Sequence, residues 1–335
     1  MNATNNPSSF SFRNKFFAHI ETWRPYTVIW CGLVSLAGAC LIFQDFPPLR
    51  TALLVTLIPM MGWIAGLYLS DYLDRNLDLI QKPHRPLPSG RIHPREALAV
   101  GGIFAFVGFI LSFLLGINNV LLVFLVALLV FSYAKLSKSR GFMGNFNRGF
   151  VIIAAYFFGL FSTGEPLRTI PMALWLLALV FFLHDTNSNL VGAIRDIEGD
   201  KKGGYITIPV KYGIKKSLVF SLILTFFYIS CLIFIIIHYE LIFYTLRFSV
   251  LFILALLILF VMYLSLLVSF SNIDRKKALR AHEFFIAERI TLASAIIIGI
   301  VFNITLSVLI FGTAMFVTLL SQWLIRKKYE FVEFA

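Results

Sequence analysis

Ser70-Asp71-Tyr72-Leu73-Asp74-Arg75-Asn76-Leu77-Asp78, continuing as LIQKPHRPLPSGR to Arg91, is the stretch in which a long apolar run ends in three carboxylates. Asp71, Asp74 and Asp78 recur at helical spacing and so share one helix face. Arg85 and Arg91 follow in a proline-rich loop. Carboxylates aligned at the mouth of an apolar segment repel one another and lose hydration. Such a set requires positive charge among its members, and a divalent metal ion is the leading candidate.

The apolar run before this motif is one of many. Of 335 residues 59% are hydrophobic and 14% charged, more apolar surface than a soluble domain of this size needs. Uncharged runs of about 20 residues, long enough to cross a bilayer as helices, recur over 26–44, 51–72, 95–115, 118–136, 147–163, 169–192, 216–238, 243–271, 284–303 and 305–325. The expected fold is therefore all-α, a polytopic transmembrane helical bundle of nine or ten spans. Residues 1–25 form an N-terminal cytoplasmic segment, 26–325 a single transmembrane domain and 326–335 a cytoplasmic tail. The N-terminal stretch lacks the charged-then-apolar-then-small pattern of a cleaved signal.

A net charge of +12 raises the question of nucleic acid, but the cations lie in short connectors between apolar runs. Lys82–Arg95, Lys135–Arg148, Arg195–Lys216 and Asp274–Arg280 alternate with cation-poor connectors at Asp45–Arg50, Gly116–Asn119, Gly164–Arg168 and His238–Glu240. That is positive-inside patterning; it puts the basic connectors in the cytoplasm and leaves no nucleic-acid partner. Splitting 284–325 into two spans near Phe302–Thr305 returns Arg326, Lys327 and Lys328 to the same side. Cys31, Cys40 and Cys231 lie inside apolar runs without paired spacing, which excludes a zinc site or a disulfide framework.

A second acidic motif, Arg195-Asp196-Ile197-Glu198-Gly199-Asp200-Lys201-Lys202, follows the sixth span as the first follows the second. These two windows hold six of the 17 acidic residues, on the same membrane face. Facing carboxylate sets beside Arg and Lys suit a diphosphate bridged by Mg²⁺, which takes oxygen ligands and keeps several waters. A diphosphate so neutralised is a leaving group, and an allylic carbon left behind needs a dry, aromatic-walled pocket. The 36 phenylalanines of a helical bundle can supply one.

At these residues the sequence resembles the UbiA superfamily of intramembrane prenyltransferases. SDYLDRNLD is similar to that family's first aspartate-rich motif, KPHRPLPSGRI to its Arg-Pro-x-x-Ser-Gly continuation, and RDIEGDKKGGYITIPVKYG to its second motif with a trailing Thr-x-Pro-Val. The resemblance implies a helical bundle around a central cavity, and Mg²⁺-dependent transfer of a prenyl group from its diphosphate to a lipophilic acceptor. By position it carries the catalytic acids onto Asp71, Asp74, Asp78, Asp196 and Asp200, and the metal ligands onto Asp74, Asp78, Asp196 and Asp200. Ser70 departs from the family's Asn, and Tyr133 is followed by Lys135 and Lys138 rather than by the expected Tyr-x-x-x-Lys, so the lysine that serves the diphosphate stays open.

Arg85 and Arg91 are expected to grip phosphate oxygens, with Tyr133, Lys138, Arg148 and Arg195 as further candidates. Asn145 opens the fifth span beside Asn147, where head-group binding and helix capping compete. The polar run His184–Asn189 lies within the sixth span, so Asp185 and Asn189 are candidates for acceptor recognition or proton removal, with interhelical hydrogen bonding as the rival. His84, His93 and His282 sit without metal-ligand spacing and are expected to be catalytically idle. The expected activity is prenyl transfer from an allylic diphosphate to an aromatic or quinone-like acceptor in the membrane. The rivals are a cyclase on the same scaffold and an ion-coupled transporter.

Overall fold

A segment surrounded by lipid must satisfy its own backbone hydrogen bonds, and an apolar run does so as a helix. The structure is a computed structural model that describes residues 12–164, 169–270 and 273–329, and among these it contains helices and no strand. An N-terminal helix, α1 (Phe12–Trp23), precedes α2 (Pro25–Phe43) and α3 (Leu49–Leu73), and a short α4 (Arg75–Gln81) follows. Next come α5 (Pro94–Ser112), α6 (Ile117–Ser132), α7 (Phe142–Leu160), α8 (Met172–Arg195) and another short helix, α9 (Ile197–Lys202). The chain ends with α10 (Ile208–His238), α11 (Thr245–Val268), α12 (Arg275–Ile300) and α13 (Ile304–Tyr329).

The ten apolar runs reappear as ten long helices, nine of them apolar enough by composition to span a membrane among the described residues. The tenth, α12, carries Glu288 and Arg289 midway, both buried inside the bundle. Its break from α13 has a local cause. Asn303 Oδ1 accepts from Leu306 N at 3.1 Å and caps α13, while Asp45 Oδ1 takes Phe302 N at 2.9 Å. Residues 330–335 of the tail and 1–11 of the N-terminal segment lie outside the described residues.

The centre of the bundle is α2, which packs on α3, α7, α12 and α13, while α8 packs between α7 and α10 and touches α12. The α2–α7 approach depends on missing side chains: a Cβ on Gly159 would stand 1.8 Å from the Ser35 carbonyl oxygen. Polar bridges register the remaining helices. His184 of α8 meets Glu288 of α12 at 2.7 Å, and Asn187 donates to Thr225 of α10 at 2.8 Å and to Tyr263 of α11 at 3.3 Å. These bonds take up most of the polar run in the sixth span.

Candidate active site

Both acidic motifs use the same local device. Each long helix, α3 or α8, ends at an aspartate, Asp74 or Asp196, beyond which a short helix sets off. The i to i+4 bonding continues across each junction, from Asp78 N to Asp74 O at 2.8 Å and from Asp200 N to Asp196 O at 2.9 Å. Carboxylates four apart therefore stay on one face despite the bend.

The motifs then cross-link. Lys82, just past the first motif, lies 3.7 Å from Asp196, and Tyr205, just past the second, donates its hydroxyl to Asp74 Oδ1 at 3.1 Å. Ile206 N donates to the Ser139 carbonyl at 2.9 Å, pinning the second motif's loop to the α6–α7 connector that carries Lys138. Lys138 in turn pairs with Asp74 Oδ2, which also accepts from Ser70 Oγ at 3.2 Å. The remaining acids have their own cations: Arg85 on Asp78 at 2.7 Å, Arg24 on both oxygens of Asp71 at 2.7 and 2.8 Å, and Arg195 on Asp196 at 2.6 and 3.0 Å. Arg24 reaches Asp71 from a left-handed backbone position (φ 47°) at the α1–α2 junction, a conformation costly for any residue that carries a Cβ.

These pairings separate the acids electrostatically. Burial disfavours the charge on Asp78, but Arg85 and Lys82 outweigh it and hold the carboxyl below its usual range. Asp196, half-buried, loses hydration too, but Arg195 and Lys82 outweigh that and hold it well below that range. Asp200 goes the other way, since burial and then the Asp196 carboxylate push it up to about 6. Burial and the Arg85 guanidinium bring Lys82 down to about 8.

Above these charges opens a cavity of about 840 Å³. Its polar end holds Asp71, Asp78, Lys82, Arg85, Lys138 and Asp200; its apolar wall comes from α3, α5 and α6 and includes Phe104, Phe109, Val126 and Val130. Phe106 and Phe124 line this wall yet are 65% and 61% exposed, so the wall is open on the flank between α5 and α6. An anionic head fits one end of this space and a long hydrocarbon the other.

Several expected residues stand here. Ser70, Tyr133, Arg148, Asn189 and Arg195 all line the cavity. The offset lysine resolves through a π-helical turn over Tyr133–Ser137, in which Lys138 N bonds Tyr133 O at 3.0 Å. The wider turn absorbs one residue, so Tyr133 and Lys138 reach the same cavity. Lys135 instead stacks on Phe131.

Others stand elsewhere. Arg91 is committed to Glu21 of α1 at 2.7 and 3.1 Å and to the His84 carbonyl, outside the residues that line the cavity. Asn145 donates to the Thr186 carbonyl at 3.2 Å, a buried α7–α8 bridge. Asp185 does not reach the cavity surface; it is fully buried and accepts from Trp30 Nε1 at 3.0 Å, because the run from His184 to Asn187 faces packed helices and only Ser188 and Asn189 turn to the space.

Sequence reasoning missed Arg24, Lys82, Tyr205 and Arg289 as cavity residues. Of these, Tyr205 had a usable signal in its place directly after the second motif. His282, expected to be idle, also lines the cavity, its Nδ1 facing Arg326 at 2.7 Å and Arg195 at 3.5 Å.

Comparison with known proteins agrees with this layout. The chain is 32% identical over 209 residues to a digeranylgeranylglyceryl phosphate synthase of Pyrococcus horikoshii, covering 62% of this chain and 74% of the relative. Its fold is similar to that of a UbiA homologue from Aeropyrum pernix, with a TM-score of 0.69 at 22% identity, over 81% of this chain and 97% of that one. A UbiA homologue from Archaeoglobus fulgidus bound to DMAPP and Mg²⁺ aligns with a TM-score of 0.55 at 17% identity, over 90% and 98% of the two chains. The model of the UbiA prenyltransferase family matches residues 29–288, from the second turn of α2 to the middle of α12. Since that match takes in both acidic motifs and every helix that walls the cavity, the chain belongs to the UbiA prenyltransferase family.

Proposed function

We propose that this protein transfers a prenyl group from an allylic prenyl diphosphate to a lipophilic acceptor within the membrane, in a Mg²⁺-dependent reaction. The observation that carries the reading is the reciprocal crossing of the two motifs, Lys82 on Asp196 and Tyr205 on Asp74, which makes one anion-binding floor from the ends of α3 and α8. The donor set fits Mg²⁺: Asp74, Asp78, Asp196 and Asp200 offer hard carboxylate oxygens. Among the described residues no three acidic, His or Cys side chains converge on one point, so one or two carboxylates would hold the ion, as Mg²⁺ commonly allows. The homologue carrying DMAPP and Mg²⁺ supports both the ion and the substrate class.

In this reading carboxylates among Asp74, Asp78, Asp196 and Asp200 would hold the ion, which would supply positive charge to the departing diphosphate. Arg85, Lys138 and Arg195 line the floor and pair its oxygens, and Lys138 hands its charge from Asp74 to the diphosphate. The prenyl tail lies along Phe104, Phe109 and Val126, a dry wall that protects the allylic carbon from water. The acceptor enters from the lipid flank and attacks that carbon. Arg91 supports the loop through Glu21 rather than the substrate. The mouth faces the cytoplasm, since the connectors that carry the motifs are the basic ones.

For the acceptor, the name of the curated relative favours a glyceryl phosphate lipid over the aromatic or quinone-like ring expected from the sequence. The experiment is to incubate purified protein with Mg²⁺ and a geranylgeranyl diphosphate, with and without a prenylglyceryl phosphate. Transfer only with acceptor supports the reading. Diphosphate release with a new hydrocarbon and no acceptor favours the cyclase, and no release with any chain length rejects both.

A further inference from the structure

The cavity contains a second cationic centre that the acidic motifs do not account for. Arg148, from the first turns of α7, stacks its guanidinium 4.2 Å from the centre of the Trp63 ring, and Arg289, from α12, lies 5.7 Å from that of Trp30. Both line the cavity. Neither pairs with an aspartate of the two motifs, whose partners are Arg24, Arg85, Lys138, Arg195 and Lys82. Between them stands Asp185, fully buried, with Oδ2 3.5 Å from Arg148 Nε and Oδ1 held by Trp30.

Among the described residues Arg148 is ion-paired to this carboxylate and Arg289 to none, which leaves one positive charge without an ion-pair partner beside aromatic walls. The hydrogen-bond inventory agrees. Arg289 is 2% exposed, and apart from Nη2 donating to the Tyr26 carbonyl at 3.0 Å its Nε makes no hydrogen bond; Arg148 Nε and Asp185 Oδ2 face each other at ion-pair distance, also without a hydrogen bond. Buried N–H groups of a cation left without acceptors are costly, and an oxyanion bound across two guanidiniums relieves that cost.

We infer that Arg148 and Arg289 form a second oxyanion subsite in the same cavity, which holds the anionic head group of the acceptor while the acidic motifs hold the diphosphate. Asp185 is a positioning residue: it pairs with Arg148 and, by accepting from Trp30, holds the ring that Arg289 faces. The inference rests on the transferase reading and names how its second substrate is recognised: the head group is a phosphate, and the reacting hydroxyl reaches the allylic carbon from this end.

The test compares two acceptor probes, a prenylglyceryl phosphate and the matching prenylglycerol without the phosphate, in full-length protein with Mg²⁺ and prenyl diphosphate. The wild-type protein is expected to prefer the phosphorylated probe in kcat/KM. Arg289→Gln and Arg148→Gln are each expected to raise KM for that probe about tenfold or more, leave KM for prenyl diphosphate unchanged, and collapse the preference between probes. Asp185→Asn is expected to shrink the same preference, a readout that general loosening of the bundle does not move. Should Arg289→Gln fail to fold, Arg148→Gln, at a more exposed position, decides. Full preference retained in the folded arginine variants, or a shift in KM for prenyl diphosphate instead, overturns the inference. So does a wild-type protein that uses both probes equally, whereas transfer to neither overturns the reading beneath it.

Discussion

Tyr205 Oη and Asp74 Oδ1 meet at 3.1 Å across the two acidic motifs, 131 residues apart in the chain. Asp74 also receives Ser70 and Lys138, so this tyrosine fixes one oxygen of a carboxylate whose other oxygen is shared. Tyr205→Phe removes the bond and keeps the ring. The expected result is a loss of about tenfold in kcat, of the size of one hydrogen bond to a charged group, with thermal stability nearly unchanged. Steady-state kinetics beside a melting curve in detergent separate the two.

Lys138 pairs with one oxygen of Asp74, a proposed ligand of the metal ion. Lys138→Gln is therefore expected to shift two quantities in opposite directions. Binding of Mn²⁺ without substrate, followed by calorimetry, tightens because no internal cation competes. Turnover falls by about a hundredfold, since the diphosphate loses a charged partner in a low-dielectric site.

Asp200 is raised from the ordinary carboxylate value to about 6 by burial and by Asp196. The stability that its neutral form contributes is complete below that ordinary value and is lost as pH rises through 6. Metal binding needs the ionised form, so Mg²⁺ affinity is expected to fall about tenfold between pH 7 and pH 5, measured by titration of substrate-dependent Mg²⁺ uptake. Asp200→Asn is expected to raise the melting temperature of the metal-free protein at pH 8, to leave it unchanged at pH 4, and to abolish the pH dependence of metal binding.

Gly159 admits no side chain, since a Cβ there overlaps the Ser35 carbonyl oxygen of α2. Gly159→Ala is expected to spread α2 from α7 and cost about 3 kcal/mol of stability, read as a lower unfolding midpoint in detergent. Activity per folded molecule falls too, because α2 also carries Trp30, which anchors Asp185.

Most of the bundle was legible because lipid leaves an apolar run few choices: length and hydropathy sufficed for ten helices, and the spacing of Asp71, Asp74, Asp78, Asp196 and Asp200 for the two charged ends. The partners were less legible. Lys82 read as a topology signal, because a cation next to a membrane span looks the same whether it anchors the span or faces an aspartate across the cavity. Arg91 looked equivalent to Arg85, and only the packing of α1, which brings Glu21 to it, separates their roles. Tyr133 and Lys138 appeared out of step because α-helical counting does not anticipate a π turn. Arg289 was hidden in an apolar run 263 residues from the backbone carbonyl of Tyr26 to which it bonds.

The flank where Phe106 and Phe124 line the cavity while standing exposed leaves the protein with three walls where a soluble enzyme would have four. The bilayer supplies the last one. Acyl chains or detergent tails then compete with the prenyl tail for the same slot, so the apparent affinity for substrate becomes a property of the surrounding lipid as much as of the chain. The product, once made, is already dissolved in its destination.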